Sequence, residues 1–165
     1  MNTILSYFLW LLASIALQVL IFNQLSLFGG IALVYMIVLL KMPVEVNRVL
    51  QIFIGFLVGF VIDVFCNTPG MHSLATVTVM FLREPILHLY IQKEEIKNSR
   101  VCMSRLGVSS FVRYALTILL VHALLLYFIE AFTLFNFLVL LSKIIISVVL
   151  SLAFCLAFEF ATLKK

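Results

Sequence analysis

The sequence predicts an all-α polytopic membrane protein with six transmembrane helices. Hydrophobic residues make up 65% of the 165 residues and charged residues only 11%, whereas soluble domains average about half apolar and about a quarter charged. Apolar segments recur along the chain, and lysine and arginine occur in only every second connection between them. Because a crossing needs about 20 residues, six helices with short loops fill residues 1–165 as a single transmembrane domain.

Six apolar segments are the candidate spans. The first lacks the basic start and the cleavage site of a signal peptide, so we expect it to be retained as a span. The segments between residues 27 and 82 are short and need interfacial residues at their ends to cross a bilayer. In chain order the spans cover residues 4–22, 27–42, 50–65, 71–82, 108–129 and 134–163.

The positions of the cations predict the orientation. The connections after the first, third and fifth spans contain no lysine or arginine. Basic loops remain in the cytoplasm, so we expect both termini and the long loop at residues 83–107 to be cytoplasmic. The cations that carry this prediction are Lys41, Arg48, Arg83, Lys93, Lys97, Arg100, Arg105, Lys164 and Lys165.

The long loop begins with a segment that is typical of a surface helix. Pro85 is a residue favoured in the first turn of a helix, and apolar and polar residues alternate over residues 85–97. Lys93 and Lys97 are expected to contact the headgroups of anionic membrane lipid. Two alternatives remain open for the same segment: a docking surface for a cytoplasmic partner, or a solvated charged connector that is attracted to anionic lipid.

The third span carries the most informative spacing. Gly55, Gly59 and Asp63 recur at four-residue steps and so lie on one narrow helical face. Glycines at this spacing let a neighbouring helix approach closely, and a carboxylate within a membrane should face a bundle or a polar cavity. Pro69 and Gly70 then provide a helix stop and a turn. Two interpretations remain open: a functional face, or a glycine contact with Asp63 capping the next helix.

Four further polar residues lie within the spans. His122 and Lys143 lie roughly 12–14 Å below the outer ends of spans five and six, so that Lys143 can extend towards Asp63. We expect a buried cluster of these three residues, or separate roles in which Lys143 reaches the interface and His122 binds a backbone carbonyl. Arg113 and Glu159, near the cytoplasmic ends of the same spans, are expected to pair.

No catalytic, cofactor or metal site is predicted. The three cysteines are far apart without a C-x-x-C pair, and the three histidines are too dispersed for metal-ligand spacing. The chain has neither a glycine-rich phosphate loop nor a complete nucleophile elbow. The net charge of +4 is explained by topology signals rather than by nucleic-acid binding. We therefore expect a protein that is not an enzyme.

The stretch from Gly55 to Leu74 resembles the signature region of the MreD family, a small bacterial rod shape-determining membrane protein. That family has spaced glycines and an aspartate in its third helix, then a turn with proline and glycine, and a histidine soon after. The six spans, the cytoplasmic termini and the basic loop also fit, so the resemblance covers nearly the whole chain. Unlike many relatives, the chain has Gly29-Gly30 rather than a proline at the start of span two. The matching residues are Gly55, Gly59, Asp63, Pro69, Gly70 and His72.

This resemblance implies a non-enzymatic component of the machinery that elongates the peptidoglycan wall, in the bacterial cytoplasmic (inner) membrane. MreD-like proteins associate with the membrane-anchored MreC and, through the wider complex, with the actin-like MreB and the wall synthases. The family is also thought to share the helical fold of the substrate-binding S-components of energy-coupling-factor transporters. The alternative is therefore a small-solute-binding transporter subunit with an outward-facing cavity beside Asp63.

Overall fold

The computed structural model describes residues 3–91, 101–131 and 136–163. Within these ranges the chain is helical and contains no β-strand. Four segments are long and apolar enough to cross a membrane: Leu5–Phe22, Arg48–Cys66, Val108–Ala131 and Phe137–Thr162. The described structure is therefore an all-α protein with several candidate spans. The helices are α1 (Thr3–Leu17), α2 (Tyr35–Leu40), α3 (Arg48–Cys66), α4 (Met71–Tyr90), α5 (Met103–Leu106), α6 (Val108–Ala131) and α7 (Phe137–Leu163).

Helices α3 and α4 form a hairpin with the most extensive contact between helices in the described structure. Asn67 ends α3 with a left-handed backbone, φ +55°, and Gly70 precedes α4 with φ +83°. These two residues reverse the chain within four positions, which a regular helix cannot do. Helix α4 then packs against α6, and α6 against α7, so that the hairpin lies at one side of a continuous bundle.

The connection between α1 and α3 is not the continuous helix expected over residues 27–42. After α1 and a π-helical turn at Gln18–Phe22, Leu27 and Gly30 exchange two backbone hydrogen bonds of 2.9 Å across a tight turn. Phe28 and Gly29 form its tip with φ +50° and +82°, values that no right-handed helix contains. Only α2, with six residues, is helical in the rest of the segment. The predicted form of this span is therefore wrong.

The segment from residue 31 to residue 41 runs alongside α7. The backbone N–H of Ile31 donates to the hydroxyl of Ser147 at 2.9 Å, and that of Leu33 donates to Ser151 at 2.8 Å. The two residues from Ile31 to Leu33 therefore cover the same length, about 6 Å, as the four residues of α7 from Ser147 to Ser151. Only a nearly extended backbone covers this length with two residues. These serines satisfy backbone groups that have no intrahelical partner, as non-helical backbone at membrane depth requires.

The remainder of the segment is mostly helical. Leu33 contacts Ser151, and the Lys41 ammonium lies 2.5 Å from the carboxylate of Glu159. Eight residues of the segment therefore cover the same length as eight residues of α7, as expected for two helices side by side. All six residues of α2 are buried. This second pass, residues 31–41, therefore follows α7 for about 20 Å through the centre of the bundle with few residues.

Helix α4 extends further than predicted. We expected its span to end at residue 82 and Pro85 to start a new helix in the loop at 83–107; instead α4 continues through Pro85 to Tyr90. The expectation for Pro85 is therefore wrong. Arg83 is 2% exposed, so this cation is held inside the bundle rather than marking a loop. Lys93 and Lys97, with most of the predicted surface helix, lie outside the described residues.

The two ends of the bundle differ in their number of cations, and we name them inner and outer after the orientation predicted from the sequence. The end called inner has the contacts of Lys41 and Met103 with Glu159 and of Arg83 with Met42. The outer end is defined by Asp63, Glu130 and Lys143. Of the cations in the described ranges, five lie at the inner end: Lys41, Arg48, Arg83, Arg105 and Arg113.

Candidate functional site

Asp63 lies in the last turn of α3, and its carboxylate caps the start of α4. One oxygen accepts the Thr68 hydroxyl and the backbone N–H of His72, both at 2.9 Å. The other accepts the backbone N–H of Ser73 at 2.9 Å and its hydroxyl at 2.6 Å. Four donors fill the acceptor positions of a carboxylate, and the positive end of α4 stabilises its charge. This geometry corresponds to the capping interpretation.

The expected pairing of Lys143 with Asp63 is wrong. The Lys143 ammonium lies 2.6 Å from the carboxylate of Glu130, near the end of α6. Its aliphatic stem passes beside Gly29, where an added Cβ would lie 2.9 Å from the lysine Cε. Because Asp63 is already saturated by donors from its own hairpin, it offers no free acceptor to a distant lysine.

Gly55 and Gly59 provide the close contact between α3 and α4. A Cβ added at Gly59 would lie 2.5 Å from Thr76 Oγ1 and 2.6 Å from Ser73 Cα. A Cβ added at Gly55 would lie 2.7 Å from Met80 Cγ, and the Thr76 hydroxyl donates to the Gly55 carbonyl at 2.9 Å. The helix on the glycine face is therefore α4, and at these two positions no further helix can approach.

Pro69 and Gly70 form the exposed tip of the hairpin. An added Cβ at Gly70 would meet nothing within 4 Å, so space does not require a glycine there. The backbone conformation requires a glycine, because a φ of +83° strains residues that carry a side chain. The tip therefore has a fixed backbone shape with open space around it.

His72, Tyr35 and His122 form a buried network that joins α4, α2 and α6. The Tyr35 hydroxyl lies 2.8 Å from His122 Nε2 and 3.2 Å from His72 Nδ1. A hydroxyl has one proton, so Tyr35 donates to one imidazole and accepts from the other. His122 thus binds a tyrosine rather than the backbone carbonyl we expected, and its Nδ1 has no partner among the described residues.

The expected pair of Arg113 with Glu159 is also wrong. Glu159 is 1% exposed; its carboxylate lies 2.5 Å from the Lys41 ammonium and accepts the backbone N–H of Met103 at 3.1 Å. Arg113 is exposed on α6. Glu159 faces the second pass, so its partner comes from there rather than from the outer surface of α6.

Arg83 is the buried charge that the sequence interpretation assigned to a loop. Its guanidinium donates to Gln51 Oε1 at 2.8 Å, to the Leu40 carbonyl at 3.3 Å and to the Met42 carbonyl. The two carbonyls lie at the end of α2, where the helix dipole favours a cation. Gln51, a polar residue within an apolar span, was the available signal that a partner for this arginine lay inside the membrane domain.

The polar residues that hold the second pass were likewise not recognised. Gln18 Oε1 accepts the backbone N–H of Val34 at 2.8 Å, and Tyr127 shares the Ile31 N–H with Ser147. Ser147 and Ser151 are four residues apart within an apolar helix, and this spacing could have indicated a polar stripe facing another backbone.

Two recesses lie at the outer end, among the described residues. The first, of about 440 Å³, lies beside the hairpin tip and is lined by Phe56, Phe60, Asp63, Val64, Asn67, Pro69, Gly70 and Ser73. The second, of about 220 Å³, lies between α6 and α7 and is lined by Tyr127, Glu130, Ala131, Asn136, Val139, Leu140 and Lys143. The described ranges contain no group of three or more His, Cys, Asp or Glu side chains that could hold a metal ion.

Comparison of the chain with protein-family models, curated proteins and solved structures gives no match.

Proposed function

We propose that this protein is a non-enzymatic membrane component of a bacterial wall-elongation complex and that it binds MreC. The basis is the resemblance of Gly55–Leu74 to the MreD signature. The structural observation in its favour is that both oxygens of Asp63 are occupied by the start of α4. Gly55 and Gly59 are likewise occupied by α4. Signature residues used in this way maintain the shape of a hairpin, which suits a scaffold that presents a surface to partners.

We further propose that the chain crosses the inner membrane six times with both termini in the cytoplasm. Helix α4 has 20 residues, or about 30 Å, which is the thickness of a bilayer core. The second pass runs beside α7 from Ser147, near the middle of that helix, to Glu159, near its end. These two elements would add two crossings to the four candidate spans. The cations at the inner end favour its placement in the cytoplasm.

Reporter fusions test this topology. A fusion after Asn67, at the hairpin tip, is expected to be active in the periplasm, and a fusion after Asn98 in the cytoplasm. Cytoplasmic activity at Asn67 or periplasmic activity at Asn98 would contradict the six crossings.

The binding proposal is tested by depletion and by co-purification. Depleting the protein in its own bacterium is expected to give rounded cells, and the tagged chain is expected to recover MreC from solubilised membranes. A tagged, unrelated multi-pass protein expressed at the same level is the control for recovery. Cells of normal shape, together with MreC recovery no greater than the control, would refute the proposal.

A transporter subunit is the second candidate, and two observations favour it. The recess of about 440 Å³ beside Asp63 opens at the outer end, and a buried non-helical pass is a device that transporters use near their binding sites. Against it, Asp63 has no acceptor left for a solute. Loss of vitamin uptake on depletion, with unchanged cell shape, would support this candidate and the likeness to energy-coupling-factor S-components.

A further inference from the structure

The recess between α6 and α7 contains a pair of opposite charges that remain accessible. The Lys143 ammonium lies 2.6 Å from Glu130 Oε1, and their side chains are 25% and 41% exposed. A lysine carries three N–H donors and a carboxylate accepts at about four positions, so among the described residues this contact uses only part of the capacity of each group. The described partners of the pair therefore do not exhaust its capacity to bind.

The position of Lys143 is fixed by its surroundings. Its stem passes beside Gly29, where only a residue without a side chain leaves room, and its ammonium lies 5.8 Å from the centre of the Tyr127 ring. The Tyr127 hydroxyl is in turn held 2.6 Å from that of Ser147. The ammonium is thus directed into the recess by the tight turn on one side and an anchored aromatic ring on the other.

The recess lies where two candidate spans meet, at the end of one and the start of the next, and opens onto apolar surface. Glu130 is the penultimate residue of the candidate span Val108–Ala131, and Lys143 lies in the second turn of the span that begins at Phe137. Val139, which lines the recess, is 53% exposed, and its neighbour Leu138 is 80% exposed. A polar recess continuous with a lipid-facing apolar surface matches a molecule with a charged head and acyl chains rather than a soluble zwitterion.

The charges specify the headgroup. We propose that this recess binds a phospholipid whose headgroup combines a phosphate with a primary ammonium, as in phosphatidylethanolamine, with the phosphate on Lys143 and the ammonium on Glu130. Its volume of about 220 Å³ equals roughly seven water molecules, which suits such a headgroup. A choline headgroup has no N–H to donate to Glu130, and a purely anionic glycerol headgroup is repelled by it. This inference does not depend on the partnership with MreC.

Native mass spectrometry of the purified full chain, released from nanodiscs with equal amounts of phosphatidylethanolamine, phosphatidylcholine and phosphatidylglycerol, tests this site. The wild-type chain is expected to retain phosphatidylethanolamine preferentially. Glu130→Gln is expected to lower the ratio of retained phosphatidylethanolamine to phosphatidylcholine about tenfold, because a charge-assisted hydrogen bond becomes a neutral one. It should also raise retention of phosphatidylglycerol, since Lys143 is then unopposed.

Further variants separate this site from general lipid association. Lys143→Arg is expected to keep the preference because its guanidinium still binds phosphate, and Lys143→Gln is expected to lose it. Arg113→Gln, at the exposed surface of the inner end, should leave the preference unchanged. Equal retention of the three lipids by the wild-type chain, or a preference unaltered in Glu130→Gln, would overturn the proposal. Binding of soluble phosphoethanolamine as tight as that of the lipid would overturn the choice of a lipid as ligand.

Discussion

Asp63 and Arg83 are buried charges of opposite sign, and neither forms an ion pair within the described ranges. Asp63 accepts hydrogen bonds at the start of α4, where the helix end is partially positive. Arg83 donates to carbonyls at the end of α2, where the helix end is partially negative. Helix ends thus take the place of opposite charges, which avoids the cost of desolvating a second ion.

The two residues differ in how far along the sequence their partners lie. The donors to Asp63 lie five to ten residues away within one hairpin. The acceptors of Arg83 lie 32 to 43 residues away, on α3 and at the end of α2. Asp63 therefore stabilises a local turn, whereas Arg83 connects the second pass to the α3–α4 hairpin. We expect substitutions at Arg83 to affect more of the molecule.

Both charges depend on the contact between α3 and α4, so opening that contact is expected to have the largest effect. Gly59→Leu would place a side chain against Ser73 Cα, which is backbone and cannot move alone. We expect a loss of about 3 kcal/mol or more of unfolding free energy and a lower protein level in membranes. Thermal unfolding in mild detergent measures the change.

The alanine variants Gly59→Ala and Gly55→Ala form a matched pair that tests the cause of this effect, and Gly55→Ala is the control. The atom that its Cβ would approach is Met80 Cγ, part of a flexible side chain that can adopt another rotamer. It should therefore be much milder than Gly59→Ala at the same level of expression. Equal destabilisation by the two alanine variants would show that backbone contact at Gly59 is not the deciding factor.

Replacing Arg83 is expected to have the next largest effect. Arg83→Lys keeps the charge, but one ammonium cannot replace the planar fork that reaches Gln51 and the Leu40 and Met42 carbonyls together. Buried acceptors left without donors cost about 1–3 kcal/mol, so we expect a loss of about 2 kcal/mol in unfolding free energy. Hydrogen exchange should increase across α2 as well as α4.

Exchange confined to α4 would contradict the connecting role of Arg83. Arg48→Lys provides a control, since Arg48 also donates to a carbonyl, that of Phe81, but does so at the exposed surface. Its replacement should leave exchange in α2 unchanged.

The difference in distance along the chain also explains what the sequence could predict. The steps from Gly55 to Asp63 and the turn at Pro69-Gly70 are local patterns, and the helix end, the reversal and the capping alternative can be read from them. The form of the second pass cannot, because its backbone partners Ser147 and Ser151 lie 116 and 118 residues from the groups that they accept. An apolar segment such as residues 27–42 predicts a helix. The non-helical form could be predicted only if the contacts of these distant serines with its backbone were already known.

The partners of charged residues were mispredicted for the same reason. Depth along a helix gives the level of a side chain in the membrane but not the direction in which it points around the bundle. Lys143 and Asp63 share the outer end, yet Lys143 pairs with Glu130. Arg113 and Glu159 share the inner end, yet one faces outward and the other faces the second pass. Helix rotation depends on packing, which six separate apolar segments do not specify.

Asp63→Asn is expected to have an intermediate effect. Asparagine often replaces aspartate as a helix cap at little cost. Here both carboxylate oxygens accept two donors, and an amide keeps only one oxygen, so its NH₂ group would face the donors of Ser73. We expect a loss of about 1–2 kcal/mol in unfolding free energy, with hydrogen exchange increased only around the start of α4.

Ser73→Ala sharpens this prediction. It removes the hydroxyl donor but retains the backbone N–H, so it should cost less than Asp63→Asn. Recovery of MreC by Asp63→Asn at matched expression should equal that of the wild type if the carboxylate acts only as a cap. Reduced recovery with unchanged stability would instead assign Asp63 a direct part in the contact with MreC.

The smallest expected effect is at the ion pair of the inner end, where, in contrast to Asp63 and Arg83, a buried acid has a charged partner. Glu159→Gln removes the charge opposite Lys41, whose side chain is 22% exposed, but it can still accept the Met103 N–H. Because the Lys41 ammonium is partly exposed, water can solvate it once the opposite charge is removed, and we expect a loss of about 1 kcal/mol. Arg113→Gln should change the unfolding free energy by less than this, because Arg113 is exposed and does not contact Glu159. Arg113→Gln and Glu159→Gln are also expected to be additive when combined, and an interaction energy above about 0.5 kcal/mol in this double-mutant cycle would support the pair predicted from the sequence.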